Sequence, residues 1–381
     1  MVRRPRLATV VGAALTAIAV LLAGCASPTQ SGAGPAGADD AAKKATDRLA
    51  EITGQLAGLK PQARRAKLIE LAKAEGGTVN PYGSTNFDTM DPLLKRFEAD
   101  TGIKPEYFRG SSSDVLQRVL QEVSAGKSAA DVVFLNGPDM AVLAQKKMFQ
   151  PVKTPVSEQI LPSVRYGSWF GWYVNAFTVA WNKDRVAKAP ASWEQVLTGY
   201  RGRLALEVSD WDWFATLVRY LVAERGMTEA QAIERVRTAA RNAATVVDGH
   251  TLMAELLVAG EYDVGASLYT VNTRTLKREG APMEWEPAVQ PLILRPNGMG
   301  ISRDTKHPAA ALLFLEYMLT DAQHMLPKYE RDPVNVHAKG GLPPQYKTIT
   351  VDIRTMLGER KKWEKLYEEI IRETGKKPIK E

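Results

Sequence analysis

Two short stretches hold most of the side chains that could grip a small charged molecule. The first is Arg109-Gly110-Ser111-Ser112-Ser113-Asp114. It opens a run whose apolar positions, Val115, Leu116, Val119, Leu120 and Val123, repeat at helical spacing. Hydroxyls at a helix start, beside backbone N–H groups without an intrahelical acceptor, suit an anion or a polar group. One serine suffices as a cap, which leaves the others for a ligand. The second stretch is Val208-Ser209-Asp210-Trp211-Asp212-Trp213. Its indoles could stack on a ligand or wall it in, while its acids orient a donor or a cation. The plainer arrangement has one tryptophan under the loop and one acid as helix cap, and this is expected for at least one of each. Ser84, Thr85, Asn136, Trp169 and Tyr269 stand in comparable loops and complete the candidate ligand-binding set.

The elements that must position these residues are legible as alternating strand and helix patterns. Extended segments at 78–82, 104–108 and 130–135 are each followed by a polar loop and a helical run. That makes an open α/β sheet, in which ligands sit off the carboxyl ends of the strands. The loops at 83–86, 109–113 and 136–139 then share one edge. Residues 166–184 follow, with Trp169 and Trp172 ahead of the strand-forming run 177–181. The pattern then restarts, with a strand at 204–207 and another at 262–268, which ends at Tyr269. An extended run at 288–294 is expected to break at Arg295-Pro296-Asn297-Gly298 and to resume at Met299. Segments 177–181 and 292–302 therefore read as two crossings between two α/β halves. The last helix, 359–373, carries Trp363, Leu366, Tyr367, Ile370 and Ile371 at helical spacing, a packing stripe and not a site.

Composition narrows the class. The 381 residues carry a formal charge of +7, of which Arg3, Arg4 and Arg6 supply three. The weak remaining excess, with no basic-aromatic stripe, gives no reason to expect nucleic acid. There is no Gly-x-Ser-x-Gly, His-Glu-x-x-His or Walker sequence. The four histidines (250, 307, 324 and 337) are scattered and read as caps or surface residues. Glu122 follows Arg118 by one turn, the spacing of an i,i+4 ion pair.

The N-terminus reads as a processing segment. Three arginines precede an apolar run at 7–22, and Leu22-Ala23-Gly24-Cys25 resembles the bacterial lipobox. Residues 1–24 are expected to be a signal peptide and Cys25 to be lipidated. Cys25 is the single cysteine, so no disulfide is possible. Residues 25–60 are expected to be a flexible tether, rich in Ala, Gly, Ser and Pro up to 40, with a loose helix at 41–59.

A family resemblance attaches to Phe97 to Gly102 (FEADTG), Arg109 to Ser112 (RGSS), Ala130 to Val133 (ADVV), Ser192-Trp193-Glu194, Asp210 to Leu217 (DWDWFATL), Gly249 to Leu252 (GHTL), Gly280-Ala281-Pro282 and His307-Pro308-Ala309-Ala310. In this order, behind a lipobox, the chain resembles the extracellular solute-binding proteins of bacterial ABC importers. It is most similar to the branch that holds ferric-iron, thiamine, phosphonate and polyamine receptors. The resemblance implies a two-lobed periplasmic-binding-protein-like (type II) α/β fold with a hinge of crossing strands. One lobe is expected from 61–176 and 297–381, the other from 177–296. It implies a monomer outside the cytoplasm, anchored to a bacterial membrane, that passes its ligand to a permease driven by a separate ATPase. A sensing lobe of a signalling receptor and a secreted enzyme are the alternatives.

No resident cofactor is implied, but a metal such as ferric iron, held together with an anion, is compatible. The ferric branch holds iron with two tyrosines, a glutamate and often a histidine. Glu122 and Tyr269 match two of these positions. The second tyrosine falls near Thr270 or Val271 and the histidine within 83–86, and neither residue type is present there. A metal with an external anion, or an organic ligand, fits that reduced set.

Overall fold

The computed structural model describes residues 35–380. A twelve-stranded mixed sheet runs through them. Its main path goes from Ile379–Lys380 through Thr245–Asp248, Leu204–Glu207 and Val264–Tyr269 to the hinge strands Phe170–Asn182 and Leu292–Ile301. It continues through Val132–Asn136 and Pro81–Gly83 to Phe108–Arg109. Each flank is a parallel set, and the two hinge strands run antiparallel to each other and to their outer neighbours. This is the two-lobed α/β architecture, with both crossings where the sequence places them.

The first hinge strand is buried almost throughout, because both faces of the central sheet are covered. Trp172, Phe177, Val179 and Trp181 supply its apolar run. The second differs from expectation. Arg295-Pro296-Asn297-Gly298 does not break it; the strand is continuous from Leu292 to Ile301. Pairing shifts between Asn297 and Gly298, where Trp172 is the extra residue opposite, and Trp172 Nε1 donates to Asn297 Oδ1 at 2.7 Å. A bulge of this kind absorbs a poor strand sequence without ending the ladder. Gly298 is required here, since a Cβ would lie 2.4 Å from the Trp169 ring.

Asp131 pins its strand to the start of the helix Pro308–Leu319. Its carboxylate accepts from Asn80 N and Nδ2 (both 2.9 Å), Thr305 Oγ1 (2.7 Å) and the backbone N–H groups of Lys306 and His307 (both 3.2 Å). His307 Nδ1 lies 2.9 Å away. Burial works to raise the Asp131 carboxyl, but the bonds from His307 and Thr305 outweigh it and hold it below its ordinary value. His307, at the start of the helix Pro308–Leu319, is raised by the bond to Asp131.

Two expected boundaries move. The loose helix expected at 41–59 of the tether is instead Pro35–Gln55, and it is docked on the body. Leu49, Ile52 and Leu56 are buried and pack in the cluster that contains Leu68, Phe97 and Phe314. The i, i+3, i+7 spacing of these three residues gives the Ala-rich segment one apolar face, and alanine favours the helix that presents it. Cys25 and the signal peptide lie outside the described residues.

The sequence places the C-terminal segment in the first lobe, with 297–381. Its helix Ile353–Arg372 instead packs mainly on the second. The rings of Trp363 and Tyr367 meet Phe214 at 5.7 and 5.3 Å, and Tyr367 Oη donates to Glu207 O at 2.7 Å. Ile379–Lys380 then adds to the sheet beside Thr245–Asp248. The packing stripe is the physical reason, since it matches the apolar face of Trp211–Arg225. From this helix Arg360 reaches back to the first lobe, to Asp139 Oδ1 at 3.0 Å and Pro138 O at 3.1 Å. No helix among the described residues is long and apolar enough to cross a membrane.

Candidate functional site

A cleft of about 1110 Å³ opens where the carboxyl ends of both parallel sets face each other. Ser84, Asn86, Arg109, Ser111, Ser112, Ser113 and Asn136 line it from the first lobe. Glu207, Trp211, Asp212, His250 and Tyr269 line it from the second, with Tyr173, Asn175, Arg295 and Asn297 on the hinge strands between. Strand ends supply nearly all of these, as the open α/β plan requires.

Arg331 dominates the electrostatics of the first-lobe side. It is 7% exposed and stacks over Tyr173, 4.8 Å from the ring centre. Its Nη1 donates to Asn175 Oδ1 (3.0 Å), Nη2 to Asn86 Oδ1 (3.1 Å) and Nε to Thr89 Oγ1 (3.4 Å). All three acceptors are neutral. Arg331 forms no ion pair among the described residues, and the neighbouring Asp332 is held by Arg274 at 2.9 Å. Three of the five guanidinium N–H donors are thus used, none of them on a carboxylate; Asp332 feels the Arg331 charge but accepts its hydrogen bond from Arg274. Asn86 turns its side chain to Arg331 and so does not cap the helix Phe87–Thr101. At that helix start the Thr89 N–H is taken by Asn86 O, and the N–H groups of Phe87 and Asp88 have no intrahelical acceptor. Arg109, exposed at the rim, also forms no ion pair among the described residues.

The second-lobe side is built on a buried charge cluster. Asp210 and Asp212 are both 0% exposed, Glu207 is 1% and Arg295 is 5%. Arg295 Nη1 lies 3.0 Å from Asp212 Oδ1 and 3.5 Å from Asp210 Oδ1. Burial pushes Glu207 up to about 7, with the charge of Asp210 adding to it. Burial likewise pushes Asp210 up to about 7, against the pull of Arg295. Burial opposes the charge on Arg295, yet the carboxylates of Asp212, Asp210 and Glu207 hold it above its ordinary value. His250 Nε2 meets Asp210 Oδ2 at 3.1 Å, and its ring stacks on Tyr269 with centroids 3.8 Å apart.

Glu207, Asp210 and His250 bring one ligand atom each within 4.8 Å of one another. The group does not suit a metal ion as it stands. Glu207 already accepts from Ser209 N, Ser209 Oγ and Gly249 N, and the Arg295 guanidinium sits beside Asp210.

Of the residues picked out from the sequence, Ser84, Ser111, Ser112, Ser113, Asn136, Trp211, Asp212 and Tyr269 line the cleft. Ser111 caps the helix Ser112–Ser124 by accepting from Asp114 N. Ser112 is a structural link, donating to Asp139 Oδ2 at 2.7 Å and accepting from Asn136 N at 3.1 Å. The remaining picks need correction. Thr85 is 1% exposed and spends its hydroxyl on Tyr173 Oη, outside the lining. Trp169 stacks on Tyr166 at 3.9 Å and fills the space over Gly298, so it packs the core. Trp213 is 0% exposed beside Trp193 and is the tryptophan buried under the loop. Asp210 holds the N-cap position without capping, and its carboxylate backs His250 and Arg295 instead. Glu122 is taken by Arg118 Nε (2.7 Å) and Ala129 N (3.2 Å) and is absent from the cleft lining, so it is the ion-pair partner and not a ligand beside Tyr269.

Sequence reasoning missed Arg331, Arg295, Glu207 and His250. Arg331 follows a short turn with no motif around it. Arg295 was hidden in a stretch taken for a strand break. His250 stood in the quoted Gly-His-Thr-Leu run, at a helix start after a strand, which was the available signal.

Comparison with known proteins fits this geometry. The family model for bacterial extracellular solute-binding proteins matches residues 83–325. Iron uptake protein A1 of Synechocystis sp. is 26% identical over 263 residues, covering 64% of this chain and 71% of that protein. Among solved structures, AfuA of Actinobacillus pleuropneumoniae with fructose-6-phosphate bound superposes with a TM-score of 0.67 at 18% identity, over 77% of this chain and 98% of that one. Apo ferric ion-binding protein A of Pasteurella haemolytica gives 0.65 at 20% identity, with the same coverage. The matched span takes in both lobes and both hinge strands, and the chain therefore belongs to the bacterial extracellular solute-binding proteins.

Proposed function

We propose that this protein captures a small anionic solute between its lobes and hands it to the permease of an ABC importer, without changing it chemically. The observation that carries this reading is Arg331, a buried cation in the cleft whose hydrogen-bond acceptors are all neutral. A buried charge without an ion pair is costly, and a bound oxyanion that takes its remaining donors offsets that cost. The unpaired Arg109 and the uncapped start of Phe87–Thr101 add to the same field. The names of the relatives, which speak of iron uptake, support a cargo in which the anion carries a metal. Bare ferric ion has less support, because hard cations want several anionic oxygens and Tyr269 is followed by Thr270 and Val271.

The test is a melting-temperature series with inorganic phosphate, citrate, ferric citrate and fructose 6-phosphate, set against spermidine. A ligand that binds only the folded state at 100 times its Kd adds about 2.7 kcal/mol, which is a shift of several degrees or less in a chain of this size. At least one anion should raise the midpoint and spermidine should not. A rise with spermidine alone contradicts the reading.

The Leu-Ala-Gly-Cys ending further supports a lipid anchor at Cys25. Cys25→Ser should release the protein from membranes or leave it unprocessed. A processed variant that stays membrane-bound on fractionation would remove the anchor from this account.

A further inference from the structure

Two buried guanidiniums flank the hinge strand at the cleft floor, and only one forms ion pairs among the described residues. Asn175 accepts from Arg331, and on the neighbouring hinge strand its cross-strand partner is Arg295. The two cations are therefore separated by a single strand pair. Arg295 is paired with Asp212 and Asp210, whereas the hydrogen-bond acceptors of Arg331 are all neutral. One end of the floor is left positive and the other is rich in carboxylate.

The carboxylate end carries several unsatisfied atoms, among them Asp210 Oδ1, Ser267 Oγ and Arg295 Nε, and two others bear on the solute. Asp212 Oδ2 and the Tyr269 hydroxyl are buried and have no hydrogen-bond partner. Both residues line the cleft, at 0% and 7% exposure. A carboxylate oxygen can only accept, so Asp212 Oδ2 requires an N–H or O–H from whatever fills the cleft. A phenol can accept or donate. A fully ionised oxyanion answers Arg331 but offers Asp212 no hydrogen-bond donor. Buried polar atoms of this kind discriminate strongly, because a molecule that lacks the matching group leaves them unpaired.

We propose that the solute is two-ended: an oxyanion head seated on Arg331, carried on the same small frame as a hydroxyl or ammonium donor that Asp212 and Tyr269 select. This rests on the anionic reading of the cleft and narrows it. The donor is a hydroxyl in a phosphorylated polyol and an ammonium in an aminophosphonate, and the chemistry that recognises it is the same.

Calorimetric titration of the purified protein separates the cases, with sulfate, methylphosphonate (at a pH where it is fully ionised), fructose 6-phosphate and 2-aminoethylphosphonate as probes. At least one of the two donor-bearing probes should bind tenfold or more tightly than sulfate and methylphosphonate. A win for fructose 6-phosphate assigns the donor as hydroxyl, and a win for 2-aminoethylphosphonate assigns it as ammonium. Tyr269→Phe should lower the affinity for the winning probe about tenfold and leave methylphosphonate unchanged. The melting temperature of the ligand-free variant should not fall, since the hydroxyl it loses has no partner. Asp212→Asn should act in the same direction. Equal affinities for all four probes, or variants that weaken all four alike, overturn the two-ended solute while the anionic cleft stands. No binding by any of the four, with none by citrate, overturns both.

Discussion

Replacing Arg331 with methionine should weaken anion binding about 100-fold or more and leave the fold nearly as stable as before. Truncating one partner of a buried, hydrogen-bonded charge pair typically costs about 2–5 kcal/mol of binding, and 100-fold is about 2.7 kcal/mol. In the free protein the balance differs. Arg331 is held by Asn86, Asn175 and Thr89, which are neutral. Its removal leaves no buried carboxylate without its cation, so the unfolding midpoint in urea should move by no more than about 1–2 kcal/mol equivalent. Arg331→Lys should fall between the two, because it keeps the charge and loses the planar fork. Calorimetry with the tightest anionic probe of the wild type checks the first part, and urea unfolding of the ligand-free protein checks the second. Equal losses of binding and stability would mean that Arg331 is a structural residue.

The largest loss of stability is expected at Asp131. Asp131→Ala removes the acceptor for three backbone N–H groups and three side-chain donors at one buried point. Stranding several of these donors should cost about 3–5 kcal/mol, read from urea unfolding. The loss should also depend on pH. Asp131 is held below its ordinary value, so its contribution is present above its unfolded pKa, near 4, and is lost as pH falls through the lower folded value. His307 is held above its ordinary value, so its contribution is full below its unfolded pKa, near 6.5, and is lost as pH rises through the higher folded value. The gap between wild type and Asp131→Ala should therefore be widest between about pH 4 and 6.5 and narrow on either side. A gap that does not change with pH would show that the His307 contact carries no charge.

The fold was far more legible than the site. Strands and helices announce themselves through local periodicity, so both parallel sets and both crossings could be placed from residue types alone. The Arg295 to Gly298 stretch was misread because proline and glycine act locally as breakers, whereas the bulge that tolerates them depends on Trp172 and Trp169 from the other strand. The C-terminal helix was recognised as core packing, but nothing in its own stripe says that its partner is Phe214. The serine loop and the Asp-Trp-Asp-Trp loop gave the right edges of the cleft because motifs at strand ends are read one segment at a time. Arg331 and its three neutral partners come from three distant parts of the chain. A buried charge with only neutral acceptors is a property of what surrounds a residue, and it becomes visible only once the chain is folded.

The central claim is that the cleft holds an anion on Arg331. Native mass spectrometry of the protein purified from its own host tests it most directly. The account predicts one small molecule per chain that is anionic in its free form, with or without a metal, and absent from Arg331→Met prepared in parallel. A bare metal ion or a polyamine retained equally by wild type and Arg331→Met would contradict it.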